Sequence, residues 1–74
     1  MNNENLIRMV NRIGAFFAAM PNREEAMSDI ALHVRRFWEP RMRRQLFEHL
    51  DQHQGEGIDE IVIGALQRHR EMFR

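Results

Sequence analysis

Met20-Pro21-Asn22-Arg23-Glu24-Glu25 is the stretch that decides the fold. Pro21 disfavours helical geometry in the residue before it and so ends whatever helix precedes it. Asn22 followed three residues later by Glu25 has the form of a capping box, the side-chain arrangement that opens a helix. A helix therefore stops here and another starts at once, with no strand signal between them.

Upstream, the spacing predicts a helix over residues 4–20, with Asn2 or Asn3 as its N-cap. At 100° per residue, Leu6, Val10, Ile13, Phe17 and Met20 fall on one narrow face. Met9 and Phe16 widen that face on one side, while Arg8 and Arg12 point away. Gly14 lies on its flank beside Ile7. A glycine inside a helix costs about 1 kcal/mol against alanine, which a close helix crossing would explain. Downstream, residues 23–38 carry the stripe Met27, Ile30, Ala31, Val34, Phe37 and Trp38, with Leu32 roughly opposite.

Glu39-Pro40 breaks this second helix and suits the first turn of a third, over residues 40–53. Gly55-Glu56-Gly57 is the one stretch expected to be flexible. Asp59 then reads as the N-cap of a fourth helix over residues 59–72, with Ile61, Val62, Ala65, Leu66, Met72 and Phe73 on one arc. Ile61-Val62-Ile63 has strand propensity, but no partner strand is on offer. The expectation is an all-α fold, a small bundle of three to four short helices forming a single domain over residues 1–74.

The chain has 74 residues, eleven acidic and eleven basic side chains, and no cysteine. Disulfides, thiolate zinc sites and iron–sulfur ligation are excluded. The longest apolar run, Ala15 to Met20, is far short of the roughly 20 residues that span a bilayer. No leader peptide is recognised, so a soluble, cytoplasmic protein with no membrane contact is expected. A core this small, without disulfides, gains from packing against another subunit, and a homo-oligomer is one possibility. All eleven basic residues are arginine. GC-rich coding accounts for that bias without a physical purpose, although the guanidinium fork suits carboxylates and aromatic faces.

The densest feature is Arg35-Arg36-Phe37-Trp38-Glu39-Pro40-Arg41-Met42-Arg43-Arg44, five arginines and one glutamate in ten residues. Arg35 and Arg36 close the second helix, where positive charge complements the macrodipole. Arg41, Arg43 and Arg44 fall in the first turn of the third, where each cation costs about 0.3–1 kcal/mol. Arg43 also projects between Phe47 and Leu50, inside the apolar arc. Two readings stand. In one, Arg36, Trp38, Pro40, Arg41, Arg43 and Arg44 form a docking patch for an acidic or polar partner, Trp and Arg being hot-spot types. In the other, the arginines pair internally with Glu24, Glu25, Asp29 or the acidic stretch from Glu48 to Glu60. A nucleic-acid interface is a third use of such a patch, but net neutrality and the acidic residues downstream argue against it.

His49 and His53, four apart, stack on one helix face and could share a zinc ion, with His69, Asp51 or a partner supplying a third ligand. Without cysteine or an HExxH arrangement the simpler reading is solvated His49 and His53 and a core-edge His69. The chain holds one Ser, Ser28, and no Thr, Tyr, Lys or Cys, so nucleophile-and-base pairs are nearly absent. Gly55-Glu56-Gly57 lacks the strand–loop–helix context of a phosphate loop. No catalytic, cofactor-binding or metal-binding residue is expected, and the chain reads as no enzyme by itself.

Two stretches carry a family resemblance: Asn11-x-Ile13-Gly14-x-Phe16-Phe17, then Phe37-Trp38-x-Pro40-x-Met42-Arg43, with the Pro21 break between them. Together with His33, Leu46, His49 and Leu50 they resemble the delta subunit of the NAD-dependent, molybdenum-containing formate dehydrogenases of bacteria. The resemblance runs over roughly residues 6 to 51 and is looser in the last helix. It implies an accessory component of a soluble cytoplasmic enzyme that oxidises formate and reduces NAD. In that family the larger subunits carry a molybdenum bis-pterin guanine dinucleotide centre, iron–sulfur clusters and a flavin, and the delta chain serves assembly or stability. The expected function is thus a non-catalytic accessory subunit whose partners are the larger subunits of formate dehydrogenase and which holds no cofactor. The alternatives are a transient maturation chaperone for the catalytic subunit and, further off, a small nucleic-acid-binding regulator.

Overall fold

A computed structural model describes residues 2–74. Four α-helices, α1 (Asn3–Ala18), α2 (Arg23–Phe37), α3 (Pro40–Gln52) and α4 (Glu60–Arg68), are followed by a 3₁₀ turn, Arg70–Phe73. Among the described residues there is no strand, and Ile61-Val62-Ile63 is helical. The fold is a small all-α bundle of about 32 × 24 × 20 Å. No helix among the described residues is long and apolar enough to cross a membrane.

The helix starts follow local chemistry. Asn5 N–H donates to Asn2 Oδ1 at 2.9 Å, and Glu25 N–H donates to Asn22 Oδ1 at 2.9 Å, each satisfying an otherwise free donor of a first turn. Pro40 occupies the first position of α3, where its missing N–H costs nothing. Asp59 stands at the N-cap of α4, but its side chain makes no capping bond. That end is held from across the bundle. Asp59 N–H donates to Asn11 Oδ1 at 2.9 Å, and Asn11 Nδ2 donates to the Gly57 carbonyl at 2.9 Å.

Two helix ends differ from the sequence expectation. α1 stops at Ala18, because Met20 N–H donates to the Phe17 carbonyl in a tight turn that leads into Pro21. α4 stops at Arg68 and not near residue 72, tightening into the 3₁₀ turn after His69. There Arg35 Nε donates to the Met72 carbonyl at 2.9 Å, and the Phe73 ring meets Phe47 at 4.9 Å between centroids. The Met72 carbonyl would have no intrahelical donor even if α4 ran on to residue 72, and Arg35 supplies one.

The core is built from Leu6 and Val10 of α1, Met27, Ile30 and Val34 of α2, Leu46 and Leu50 of α3, and Ile61, Val62 and Leu66 of α4. Trp38 and Ile58, from the connections, complete it. The buried face of α1 is turned toward Gly14 and away from Phe16, which is 75 % exposed. The reason is the crossing with α4. A Cβ built on Gly14 would lie 2.5 Å from Val62 Cγ2, so the two helices approach closely only because position 14 carries no side chain.

The stretch expected to be flexible is a hydrogen-bonded turn. Gln54, Gly55 and Gly57 take positive φ, and Gly55 is buried against Leu50 and Ile63. His49 Nε2 lies 2.7 Å from the Glu56 carbonyl. With Asn11 on its other side, this turn is fixed from both α1 and α3. Asn11→Ala is expected to cost about 1 kcal/mol, since water can partly replace the lost bonds at this surface site. Hydrogen exchange would show it as faster exchange of the Val62 and Ile63 amides, which bond to the Asp59 carbonyl.

Candidate functional site

Near the Glu39-Pro40 break, α2 ends and α3 begins with two adjacent aromatics of opposite fate. Val34 lies buried in α2, and residues three and four further on would both share its stripe in a continuing helix. The helix ends at Phe37, and Trp38 already has extended backbone, φ −91° and ψ 137°. Its side chain turns into the core, 6 % exposed, whereas Phe37 is 71 % exposed. Trp38, expected in the docking patch, is packed into this chain's own core, and the accessible aromatic at the break is Phe37. Pro40 is exposed on the first turn of α3.

The arginines separate in the same way. Arg35 is bonded to the Met72 carbonyl, and Arg43, half-buried, donates through Nη1 to the Arg35 carbonyl at 3.1 Å. Both thereby stitch the α2–α3 junction and the C-terminal turn together. Arg36, Arg41 and Arg44 are exposed and, among the described residues, make no hydrogen bond or ion pair. None of the five pairs with Glu24, Glu25, Asp29 or the acidic stretch. Those carboxylates are approached instead by C-terminal arginines: Arg68 pairs with Glu24, and Arg70 makes a two-pronged bond to Asp51 at 2.7 and 3.1 Å.

The Arg70 guanidinium, chiefly through that hydrogen bond, holds the Asp51 carboxyl below the usual carboxylate range. A depressed native pKa stabilises the fold above the unfolded value, and that contribution disappears as pH falls through the native one. The pair is solvent-exposed, so the effect is small. Asp51→Asn is expected to lower the melting temperature slightly at neutral pH, with the two proteins converging in acid. A melting series from neutral pH downward checks this.

Two surface features lay outside the sequence reading. Pro40, Arg43, Arg44 and Phe47 of α3 face Arg70, Phe73 and Arg74 across a groove of about 420 Å³. Arg70 stands over the Phe47 ring, 5.0 Å from its centroid. Along α1 and α2, Phe16, Phe17, His33 and Phe37 form a chain of ring contacts with centroid spacings of 5.1, 6.1 and 4.8 Å. The exposed ends of this row are Phe16 and Phe37. Sequence periodicity places Phe16 and Phe37 on apolar faces and gives no sign that they stay uncovered. The groove's second wall belongs to a segment that reads as plain helix.

His49 and His53 lie together, ring centroids 5.3 Å apart. A carbonyl only accepts, so His49 Nε2 carries the proton directed at Glu56, and the buried Nδ1 has no hydrogen-bond partner among the described residues. No group of three or more His, Asp or Glu is placed to hold a metal ion among the described residues.

Residues 5–66 fit the family model described as NADH-dependant formate dehydrogenase delta subunit FdsD. No curated protein and no solved structure matches the chain. The matched span reaches from the first turn of α1 to Leu66 in α4, taking in the α1–α4 crossing, the Pro21 break and the whole α2–α3 junction, which is well over half of the sequence. The chain therefore belongs to the FdsD family, the delta subunits of NADH-dependent formate dehydrogenase.

Proposed function

We propose that this chain is a non-catalytic accessory subunit of the soluble, cytoplasmic NAD-dependent formate dehydrogenase complex, which it supports in assembly or stability by binding a larger subunit. The observation that carries the reading beyond family membership is the exposed set at the α2–α3 junction: Arg36, Arg41 and Arg44, without a hydrogen bond or ion pair among the described residues, beside the exposed ring of Phe37. An isolated helix gains nothing from cations in its first turn, and among the described residues Arg41 and Arg44 have no partner to offset that cost. An interface does gain, because arginine and aromatic side chains are the types that dominate binding energy when desolvated against a complementary surface. The charges set register and encounter rate, and the aromatic supplies the buried area. The side-chain inventory, with one serine and no Thr, Tyr, Lys or Cys, supports a binding role over a catalytic one.

Capture of the tagged chain from its native cytoplasm, with identification of what accompanies it, tests the proposal. Stoichiometric recovery of the active, molybdenum-loaded enzyme is the expected result. Recovery of the cofactor-free catalytic chain alone would replace it with a maturation chaperone, and recovery of neither would overturn both. Arg36→Glu with Arg41→Glu is expected to reduce co-purified enzyme at least about tenfold, the scale of one or two lost interface hot spots. The circular dichroism of the double variant should match the parent, since neither side chain makes a hydrogen bond or ion pair among the described residues. Arg43→Glu is not a clean test, because Arg43 also holds the Arg35 carbonyl.

A further inference from the structure

We infer that the groove between α3 and the C-terminal 3₁₀ turn binds an acidic peptide segment of a partner protein, seating an apolar side chain on Phe47 and Phe73 between carboxylates held by arginine. The inference deepens the accessory-subunit reading and rests on it only for the partner's identity. Its second wall, Arg70, Phe73 and Arg74, lies beyond the residues matched by the family model.

Charge sets the occupant's sign. Four arginines line the groove, and two of them pair with carboxylates outside its lining: Arg70 holds Asp51, and Arg74 lies 3.6 Å from Glu71. Among the described residues Arg43 and Arg44 have no carboxylate partner, Arg43 using one Nη1–H on a backbone carbonyl. Counting these side chains, four arginines against two carboxylates, the excess is two positive charges, with guanidinium N–H groups left to take carboxylates. The floor sets the occupant's second property. The Phe47 and Phe73 rings, 4.9 Å apart and tilted by 59°, give an apolar shelf capped at one end by Pro40.

The same lining selects a peptide over a nucleotide. Only Pro, Arg and Phe side chains face the groove, so no side-chain acceptor is present to read the edge of a base. Pro40 removes one backbone N–H from the first turn of α3, and no glycine-rich turn borders the groove to cradle phosphates. A carboxylate-bearing peptide needs neither. It needs cations in a row and somewhere to bury one side chain.

Titration of the full chain with a synthetic peptide carrying two glutamates on either side of a leucine, followed by NMR, tests this. The ring resonances of Phe47 and Phe73 should shift in a saturable way, together with the Nε–H signals of Arg44 and Arg70. The glutamine version of the peptide should bind at least tenfold more weakly, and Arg44→Glu with Arg74→Glu should weaken the glutamate peptide to a similar extent. Absence of shifts at Phe47 and Phe73, or equal binding of the glutamine peptide, overturns the inference. So do equal shifts with inorganic phosphate alone, which would mean a bare anion site. Capture of the enzyme by the Arg74→Glu single variant, which leaves Arg44 of the α2–α3 junction in place, separates the two claims. If parent and variant recover enzyme equally while only the parent binds peptide, the groove is not what contacts the enzyme and the accessory reading survives. If the parent recovers no enzyme, the accessory reading fails and the peptide titration still decides the groove.

Discussion

Trp38→Ala is expected to lower the melting temperature by roughly 20 °C, and to leave the protein on the edge of unfolding at ordinary temperature. Large-to-small replacement of a buried aromatic costs about 3–5 kcal/mol, and a domain of this size has only about 4–11 kcal/mol of stability to lose. Each kcal/mol moves the midpoint by about 4–8 °C in so small a domain. Trp38 is 6 % exposed and packs into a core shared by all four helices, so no single helix can move in to fill the space. Thermal unfolding followed by far-ultraviolet circular dichroism measures the effect, the variant having no tryptophan to report fluorescence. Trp38→Phe keeps most of the apolar volume and is expected to stay folded and still recover the enzyme. A folded Trp38→Ala that fails to recover the enzyme would show instead that Trp38 meets the partner, contrary to its place in the core.

The contrast between Phe37 and Trp38 marks the limit of what sequence alone discloses. Both continue the stripe of Val34, and helical spacing treats them alike. What separates them is where the helix ends. Pro40 restrains Glu39 to extended backbone, and the extended conformation reaches back to Trp38, which swings inward while Phe37 remains on the last helical turn. Asn22 with Glu25, Asn2 and Pro40 were legible because capping is local: donor and acceptor lie three residues apart. Asn11 was not, because its partners Gly57 and Asp59 are more than forty residues away, and nothing in the polar flank of a helix announces such a bond. The end of α4 was misplaced for the same reason. Its last turn answers to Arg35 and Phe47, which periodicity within residues 59–72 does not register.

The arginine-rich stretch was legible as a concentration of charge but not as a division of labour. Arg35 and Arg36 are neighbours at one helix end, equally suited to its dipole, yet only Arg35 finds a carbonyl of the 3₁₀ turn. Arg43 was noticed because it projects into an apolar arc, and the half-buried bond to the Arg35 carbonyl accounts for that position. What remains exposed, Arg36, Arg41 and Arg44, is the part of the charge that the fold leaves unused. A site of this kind is found by subtraction, and the subtraction needs coordinates.

Gly14→Leu is expected to destabilise the fold by about 3 kcal/mol, and the smaller change Gly14→Ala to do so by about 1 kcal/mol, against the sign that helix propensity alone would give. In an open helix Gly→Ala gains about 1 kcal/mol. At position 14 the added Cβ would come within 2.5 Å of Val62 Cγ2, closer than two carbon atoms can stand. Val62 has no easy escape. It is fully buried in α4, and a β-branched side chain in a helix has one strongly preferred χ1 rotamer. The helices must separate or Val62 must leave its rotamer, and either strains a packed core. Leucine extends further into the same contact, so its cost is larger. Val62→Ala removes the clashing methyl and tests the mechanism directly. Alone it should cost about 1–3 kcal/mol through lost burial, but in the Gly14→Ala background it should cost at least about 1 kcal/mol less, a coupling of the size seen between touching residues. Urea denaturation of the four proteins in this cycle gives the coupling from their midpoints. A Gly14→Ala variant more stable than the parent, with costs that simply add, would mean that α1 and α4 do not meet at this glycine.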